Sequence, residues 1–299
     1  MDRLHLMTVF VAVGEAGSFA GAARRLGMSP PAVTRAIASL EARLGVKLLQ
    51  RTTRYVRVTD AGQRYLDDAR RIVAEVDEAD EAVAGINAAP RGQLTVTAPV
   101  LFGKLYVMPG IVAYLQRYPQ VAVSALFLDR VVNMLEEGVD VAVRIGPLPD
   151  SSLRAIKVGE VRRVLCAAPD YLAAHGVPAQ PADLQAHTTI AATSVSPTVE
   201  WKFGPAGDTE AVRLQPRLLV TSNDSAIEAA KAGLGITRLL SYQVAGQLES
   251  GALQIVLPAY ESAPLPIHIV HRESKYGSAK VRSFIDLMVA RLRADKHLG

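Results

Sequence analysis

Cysteine is nearly absent from the sequence: Cys166 is the only one among 299 residues, so no internal disulfide can form. It lies in the apolar run Val164–Ala168, where a cysteine is expected to be a small buried hydrophobic residue rather than a reactive thiol. The fold must therefore be stable without an internal disulfide.

The sequence also lacks a long uninterrupted hydrophobic run. The longest apolar stretch, Leu94–Leu115, is interrupted by prolines and a lysine and cannot cross a bilayer as an unbroken helix. Near the N-terminus, the apolar segment Leu6–Val13 has no small-residue cleavage site behind it, which argues against a secretory signal. We therefore expect a cytoplasmic protein with no membrane partner.

Motifs of catalysis and metal binding are missing as well. The six histidines show no metal-ligand spacing, and the sequence has neither a nucleophile elbow nor a carboxylate pair. Gly233–Arg238 begins like a dinucleotide-binding loop, but Arg238 stands where the third glycine belongs and no strand precedes it. The sequence thus predicts a protein that is not an enzyme and needs neither cofactor nor metal.

What the sequence does contain is an unevenly distributed positive charge. With 49% of its residues apolar, a chain of this length is expected to form several packed domains. Its net charge is +4, yet residues 1–60 alone carry nine lysines and arginines against four acids. Such a basic segment is typical of a polyanion-binding domain, although a basic run can also be merely solvated surface.

Three short helices are predicted in this basic segment. Apolar residues recur at helical spacing between Leu4 and Gly14, where glycine is expected to end the helix. Ser18 caps the second helix, Phe19–Leu26, and Ser29 opens the third, whose first positions are prolines. This arrangement predicts a helix-turn-helix.

The third helix is predicted to have one apolar face and one free face. The apolar stripe consists of Val33, Ile37, Leu40 and Leu44. Thr34, Arg35 and Ala38 therefore point toward solvent or a groove. The following segment, Gln50–Thr59, has the alternation and the Tyr, Val and Thr content of a two-stranded hairpin, which would form a wing.

Two segments of this region resemble the signature of LysR-type transcriptional regulators. They are Ala22–Arg35 followed by Leu40–Gly45, and the wing Leu48–Gly62. The resemblance implies a sequence-specific DNA-binding transcription regulator that is controlled by a small-molecule effector. The expected fold is α/β, with an all-α-rich N-terminal winged helix-turn-helix and a C-terminal two-lobed type-II periplasmic-binding-protein-like α/β sensor domain.

The resemblance also implies the partners of the chain. They are double-stranded DNA, an effector bound between the two lobes, RNA polymerase, and further copies of the chain in a homodimer or homotetramer. A solute-binding transport protein would share the sensor fold, but it would need an export signal and no DNA-binding segment. Effector binding is expected to shift the arrangement of the copies and thereby their grip on DNA.

Seven residues are expected to contact DNA on the basis of this resemblance. They are Ser29, Pro30, Pro31, Thr34 and Arg35 on the major-groove face, and Arg51 and Arg54 at the wing. The forked guanidinium of Arg35 can read the edge of guanine, so we expect it to be the main base reader. Pro30 stands where many relatives have glutamine and offers no amide donor. For Arg51, a surface ion pair or support of the hairpin is an equally good interpretation.

A heptad pattern follows the wing, in a helix that Thr59 opens. Its seam consists of Tyr65, Ala69, Ile72, Val76, Ala79, Val83 and Ile86. Most intervening residues are charged, so the seam favours a partner helix from a second copy, with packing against the chain's own domains as the alternative. Ala88–Gly92 breaks the helix. The predicted domains are 1–58 for DNA binding, 59–90 for dimerisation and the hinge, and 91–299 for effector binding.

Beyond residue 91, short β-rich runs alternate with helical patterns, which predicts an open α/β sheet. Strands are expected at 94–97, 121–127, 139–145, 161–167, 218–221, 236–240 and 267–271. Helices are expected at 102–118, 129–138, 169–175, 224–232, 242–250 and 278–293. We place lobe one at 91–161 plus 266–299 and lobe two at 162–265.

Ligands in such folds bind beyond the carboxyl ends of strands, near helix N-termini. The family resemblance places effector-binding positions at Pro99, Val100, Phe102, Phe127, Asp129, Arg144, Gly146, Thr193, Ser194, Asn223 and Asp224. Many relatives have serine or threonine at 99, 100 and 102 to hold a carboxylate, so their absence favours an apolar or aromatic effector. Helix capping is the alternative for Asn223 and Asp224, and structural pairing is the alternative for Arg144. The runs Ala98–Gly103 and Glu136–Gly146 are also similar to the CrgA-like branch of the family.

Overall fold

The computed structural model describes residues 2–51, 56–83, 89–149, 153–192, 199–204, 210–272 and 278–299. The predicted site residues outside this description are Arg54, Ile86, Thr193 and Ser194, together with the side chains of Arg51, Ala79 and Val83. The chain divides into two compact units. The first is Met1–Ala88 with the short segments Asn133–Gly138 and Ser274–Ala279, and the second is the remainder.

The first unit is a winged helix-turn-helix. Its elements are α1 (Arg3–Ala16), α2 (Phe19–Leu26), α3 (Pro30–Leu44), β1 (Leu49–Arg51), β2 (Val56–Val58) and α4 (Asp60–Val83). The Ser18 hydroxyl accepts a hydrogen bond from the Gly21 amide at 3.1 Å and caps α2, as predicted. Helix α1 passes Gly14 and ends at Gly17 instead, because Gly17 takes the left-handed conformation that glycine adopts without steric cost.

One hydrophobic core joins the helices and the wing of this unit. Val33, Ile37 and Leu40 of α3 are fully buried and share this core with Phe10 of α1 and Leu48. The predicted apolar face of α3 is therefore confirmed. Burial of each such side chain contributes about 1.5–3 kcal/mol, which favours one orientation of α3 about its axis.

The second unit is built around two five-stranded sheets. Its strands are β3 (Gly92–Ala98), β4 (Val121–Phe127), β5 (Val141–Ile145), β6 (Leu153–Val161), β7 (Arg163–Ala167), β8 (Thr189–Ala192), β9 (Glu200–Phe203), β10 (Glu210–Arg213), β11 (Leu218–Val220), β12 (Ile236–Leu240), β13 (Gln254–Val256) and β14 (Leu265–Arg272). The first sheet has the order β4-β3-β5-β14-β6, and the second has the order β11-β8-β12-β7-β13. We call each sheet with its helices a lobe. The remaining two strands, β9 and β10, form an antiparallel hairpin.

The chain passes between the two lobes twice. Strand β6 ends at Val161 in the first sheet, and β7 begins at Arg163 in the second. The return runs from β13 to β14, which pairs antiparallel with both β5 and β6. Since β14 inserts between β5 and β6, the last strand of the chain completes the first sheet.

Helices of the second unit cover these sheets. They are α5 (Val100–Phe102), a π-helical turn (Gly103–Val107), α6 (Met108–Arg117), α7 (Pro169–His175), α8 (Asn223–Lys231), α9 (Ala245–Glu249) and α10 (Ala279–Arg293). Short 3₁₀ segments occupy Pro181–Ala186, Ser241–Gln243 and Pro258–Tyr260. Within the described residues, none of these helices, nor any in the first unit, is long and apolar enough to traverse a bilayer.

Two predictions for the chain beyond residue 91 need correction. The helix expected at 129–138 is absent, because the Asn133 side chain accepts hydrogen bonds from the Leu135 and Glu136 amides and forms a turn. The single strand expected at 161–167 is two strands in different sheets, with Arg162 between them. Strands β6, β8, β9, β10 and β13 were not predicted; β6 lies at the edge of its sheet and carries three charged residues, Arg154, Lys157 and Glu160.

Candidate nucleic-acid interface and effector site

The solvent face of α3 carries the predicted base-reading residues. Pro30, Pro31 and Arg35 are exposed, and Thr34 is half-buried. Ser29 precedes α3 as its N-cap residue, although its side chain makes no capping hydrogen bond. Among the described residues, none forms a hydrogen bond or ion pair with the Arg35 guanidinium. This helix therefore presents a free cation beside its proline-rich first turn.

A buried carboxylate ties α3 to the wing. Glu41 on α3 is only 7% exposed, and it accepts hydrogen bonds from the Leu48 and Leu49 amides at 3.0 and 3.1 Å and from Lys47 Nζ at 2.7 Å. Burial alone would raise the pKa of Glu41, but the bonds from Lys47, Leu49 and Leu48 outweigh it and hold this pKa below its ordinary value. The carboxylate thereby sets the position of β1 relative to α3. Sequence reasoning missed this role, which only the fold reveals.

The wing is the antiparallel pair β1–β2. Gln50 pairs with Arg57, and Arg51 pairs with Val56. The Arg57 side chain is exposed on β2. Thr59, which was predicted to open the next helix, does so: its hydroxyl accepts from the Gly62 amide at 2.9 Å. The predicted hairpin is confirmed, and it places Arg51 at the end of β1.

The first half of the heptad seam is buried within the first unit. Ala69 is fully buried, and Tyr65 and Ile72 pack against the same core. The rings of Tyr65 and Phe10 lie 5.7 Å apart. These three seam positions therefore pack against the chain's own domain, which was the alternative interpretation of the seam. Val76, farther along α4, is half-buried.

In the first lobe, predicted effector residues meet at one edge of the sheet. Strands β3 and β4 are parallel, so Pro99, which follows β3, lies near Asp129, which follows β4. The Asp129 Oδ1 atom accepts a hydrogen bond from the Val100 amide at 3.0 Å. The first donor of the helix after β3 is thus occupied by a carboxylate of the chain itself.

An aromatic cluster joins the two lobes beside this edge. Phe102 is fully buried; its ring stacks on Tyr106 at 4.9 Å and meets Tyr242 edge-on at 5.2 Å. Tyr106 and Tyr242 also contact each other at 5.8 Å. Burial, with a further contribution from Asp295, raises the pKa of Tyr106 to about 12, and burial also raises the pKa of Tyr242, so both phenols are neutral at physiological pH.

The backbone around Phe102 is also unusual. Gly103 begins the π-helical turn, and a Cβ atom at this position would lie 2.4 Å from the Phe127 ring. π-helical turns occur frequently at functional sites. The structure thus brings Phe127 to the same cluster. Sequence reasoning missed Tyr106 and Tyr242; the spacing of four residues between Phe102 and Tyr106 was the one available signal.

Arg144 and Gly146 lie at the end of β5. The Arg144 guanidinium donates to the Val132 carbonyl oxygen. In the strand register, Arg144 of β5 lies opposite His268 of β14. Structural pairing therefore describes Arg144. Gly146 follows with φ of 108°, a conformation that favours glycine.

In the second lobe, the predicted positions Asn223 and Asp224 begin α8. The N-cap of this helix is Ser222, whose hydroxyl accepts from the Ser225 amide at 3.3 Å. Capping by Asn223 or Asp224 is therefore wrong, because the cap lies one residue earlier. Asn223 is half-buried and Asp224 is exposed.

No cluster of three or more histidine, cysteine, aspartate or glutamate side chains in the described ranges could hold a metal ion.

Comparison with known families decides the class of protein. Residues 4–63 match the bacterial regulatory helix-turn-helix proteins of the lysR family, and residues 87–293 match the LysR substrate binding domain.

The chain belongs to the LysR family of transcriptional regulators. This LysR-type regulator is 34% identical to the HTH-type transcriptional activator AaeR of Escherichia coli over 288 residues, or 96% of this chain and 93% of that protein. It has a helix-turn-helix DNA-binding domain and a substrate-binding domain.

Two solved structures match this LysR-type regulator over nearly its whole length. The full-length virulence activator AphB of Vibrio cholerae matches with a TM-score of 0.63 and 28% identity, covering 97% of this chain and 99% of that one. CrgA, a LysR-type regulator from Neisseria meningitidis, matches with a TM-score of 0.62 and 31% identity, covering 96% of this chain and 98% of that one. The similarity to CrgA agrees with the branch indicated by the sequence.

Proposed function

We propose that this LysR-type regulator reads duplex DNA with the free face of α3, and that Arg35 is its main base-reading residue. The observation that carries this proposal is the position of Arg35: its side chain is exposed in the first half of α3, outside the buried apolar stripe, and no described residue pairs with it. In the same unit, Arg25 and Arg70 both form ion pairs with Glu15. Arg35 has no such carboxylate among the described residues. An arginine left free on an otherwise well-packed helix suits the guanine edge in the major groove.

The remaining DNA contacts follow from the same orientation. Ser29, Pro30, Pro31 and Thr34 would approach the groove with the first turn of α3, and Pro30 shapes this turn instead of donating to a base. Arg51 and Arg54 would reach the minor groove or the phosphates from the wing. The experiment is fluorescence anisotropy of labelled genomic duplexes at several salt concentrations. Absence of salt-sensitive binding to every duplex would refute the proposal.

The other assignments follow the predicted domains. Residues 1–58 bind DNA, 59–90 form the dimerisation helix and hinge, and 91–299 bind the effector. Because Tyr65, Ala69 and Ile72 pack within their own unit, the contact between copies in a homodimer or homotetramer rests on the later seam positions Val76, Ala79, Val83 and Ile86. The regulator acts by binding rather than by turnover, with RNA polymerase as a further partner.

We infer that the effector binds between the two lobes, beside the edge where β3 and β4 end, and that it is neutral and aromatic. An anionic effector would need free donors there, yet the Val100 amide is already bonded to the Asp129 carboxylate. That carboxylate would also repel a second negative charge. Phe102 and Tyr242 instead form a buried aromatic wall behind the half-buried ring of Tyr106, and an aromatic surface of this kind favours another ring.

The test of this effector class compares two probes of equal ring size. Benzyl alcohol and benzoate are titrated into the full-length protein by isothermal calorimetry, and each is then added to a footprinting reaction. Binding of benzyl alcohol with little binding of benzoate supports the inference. Tighter binding of benzoate contradicts it, while the DNA-binding proposal would stand unchanged.

A further inference from the structure

A pair of arginines on the sheet of the second lobe has no assigned role. Arg163 begins β7, and Arg238 lies in the neighbouring strand β12. In the antiparallel register, Arg238 faces Leu165, and Leu240 faces Arg163. Because residues two apart in a strand share a face, the two arginines are diagonal neighbours on one face of the sheet.

This face is opposite to the one that packs toward the effector site. Val164 and Leu239 alternate with the two arginines and belong to the core cluster that contains Phe102 and Tyr242. Leu165 and Ile236, on the arginine face, belong to a separate core with Trp201 and the β9–β10 hairpin. The arginine pair therefore lies at the margin of the hairpin-covered core.

Both guanidinium groups are partly withdrawn from water. The Arg238 guanidinium carbon lies 5.4 Å from the centre of the Trp201 ring, and its Nη1 donates to the Lys202 carbonyl oxygen at 3.2 Å. Burial, and then the proximity of Arg163, lower the pKa of Arg238 to about 10. Burial also lowers the pKa of Arg163. Two like charges thus share a partly desolvated position.

Neither arginine has a carboxylate partner within the portion of the chain that the structure describes. The Arg163 side chain makes no hydrogen bond to any described residue. The neighbouring Arg162, by contrast, forms two hydrogen bonds with Glu261, at 2.9 and 3.2 Å. Partly desolvated cations that no described carboxylate neutralises are costly, and an anion that accepts hydrogen bonds from both guanidinium groups would lower that cost.

We propose that Arg163 and Arg238 form a second ligand site, which binds a phosphate dianion such as that of a phosphorylated metabolite. The two positive charges match the two negative charges of such a group. The forked guanidinium donors suit its oxygens better than a single ammonium would. Trp201 holds Arg238 in place from the hairpin and is a positioning residue.

Trp201 also provides a specific readout, because it is the only tryptophan of the chain. Inorganic phosphate is titrated into the full-length protein while tryptophan emission and the melting temperature are followed. Sodium chloride and sodium acetate at equal ionic strength are the controls. Phosphate bound elsewhere, for instance at the basic N-terminal unit, leaves the immediate surroundings of Trp201 unchanged.

We expect a saturable phosphate response that chloride and acetate do not reproduce. Arg163→Gln and Arg238→Gln should each weaken phosphate binding about tenfold or more, as expected for loss of a charged hydrogen-bond donor. Arg213→Gln is the matched control on the hairpin, because the Arg213 side chain is 90% exposed, and it should bind as the parent does.

Three results would overturn the proposal. They are a parent protein without a saturable response in either measurement, acetate binding more tightly than phosphate, and arginine variants that bind phosphate as the parent does. Circular dichroism verifies that each variant is folded. If Arg238→Gln fails this test, Arg163→Gln decides alone, since the Arg163 side chain makes no hydrogen bond within the described structure that the change could break.

Discussion

Asp129 accepts a hydrogen bond from the Val100 amide at 3.0 Å, and this bond connects the ends of two parallel strands. The Val100 amide, which could otherwise donate to an anionic ligand at this edge, is therefore already bonded to the Asp129 carboxylate. The charge of residue 129 should therefore affect whether the site between the two lobes binds a neutral or an anionic effector.

The substitution Asp129→Asn should change the charge preference of the effector site. The asparagine side chain can still accept from the Val100 amide, but it no longer repels an anion. We expect the affinity for benzoate to rise about tenfold or more, as for removal of a like charge at a partly solvated site. Calorimetry with benzyl alcohol is the control, and its affinity should stay within about twofold. Equal benzoate affinity in both proteins would contradict the role of Asp129.

Replacing Arg35 by alanine should weaken specific DNA binding by about 1–3 kcal/mol and relax the preference at one base pair. Anisotropy on a series of operators with single base changes measures both effects. Arg43→Ala is the matched control, because Arg43 is exposed on the same helix near its last turn. A variant that discriminates among the operators as the parent does would show that Arg35 reads no base.

Replacing Glu41 by glutamine should loosen the wing. The change removes a charged acceptor from two buried amides and from Lys47, which costs about 2 kcal/mol of local stability. Hydrogen exchange at the Leu48 and Leu49 amides should accelerate, and DNA affinity should fall although Glu41 faces away from solvent. Lys47→Met is the control: the Lys47 side chain is 80% exposed, so its loss should matter less. Unchanged hydrogen exchange at both amides would show that the Glu41 carboxylate does not hold the wing.

The same carboxylate predicts a pH dependence. Because the pKa of Glu41 is lower in the folded chain than its ordinary value of 4.5, its stabilising contribution is complete above that value. The contribution is lost as the pH falls through the folded-state pKa. Protection of the Leu48 and Leu49 amides should therefore decline below pH 4.5 in the parent. Glu41→Gln should lack this particular decline.

Replacing Val76 by aspartate should weaken the contact between copies without unfolding the first unit. Val76 is half-buried and lies in the seam beyond the residues that pack in the unit's own core. Sedimentation velocity should show a shift toward monomer, because a buried unpaired charge opposes helix association. Arg64→Asp, exposed on the same helix, should leave the oligomeric state unchanged. An oligomer of unchanged stability in Val76→Asp would place the interface elsewhere.

Local sequence signals were sufficient for several elements. Helices α2 and α7 begin and end at the predicted residues, because Ser18 caps α2, Pro169 opens α7 and a glycine follows each helix, and all of these signals act within one turn. The helix expected at 129–138 was wrong for a related reason: Asn133 offers the backbone a competing turn that apolar spacing does not reveal. Strand β6 was missed because an exposed edge strand tolerates charged residues.

The amino-acid sequence by itself determined the winged helix-turn-helix, the family, and the face of α3 that turns away from the core, since all three depend on neighbours a few residues apart. Only the tertiary structure decided that Asp129 occupies the Val100 amide, that Tyr242 meets Phe102, and that Arg163 shares a sheet face with Arg238. Those pairs are separated along the chain and meet through strand order and register. Residue spacing carries no information about which strands become neighbours. Such contacts are therefore decided only when the strands assemble into sheets and the two lobes pack.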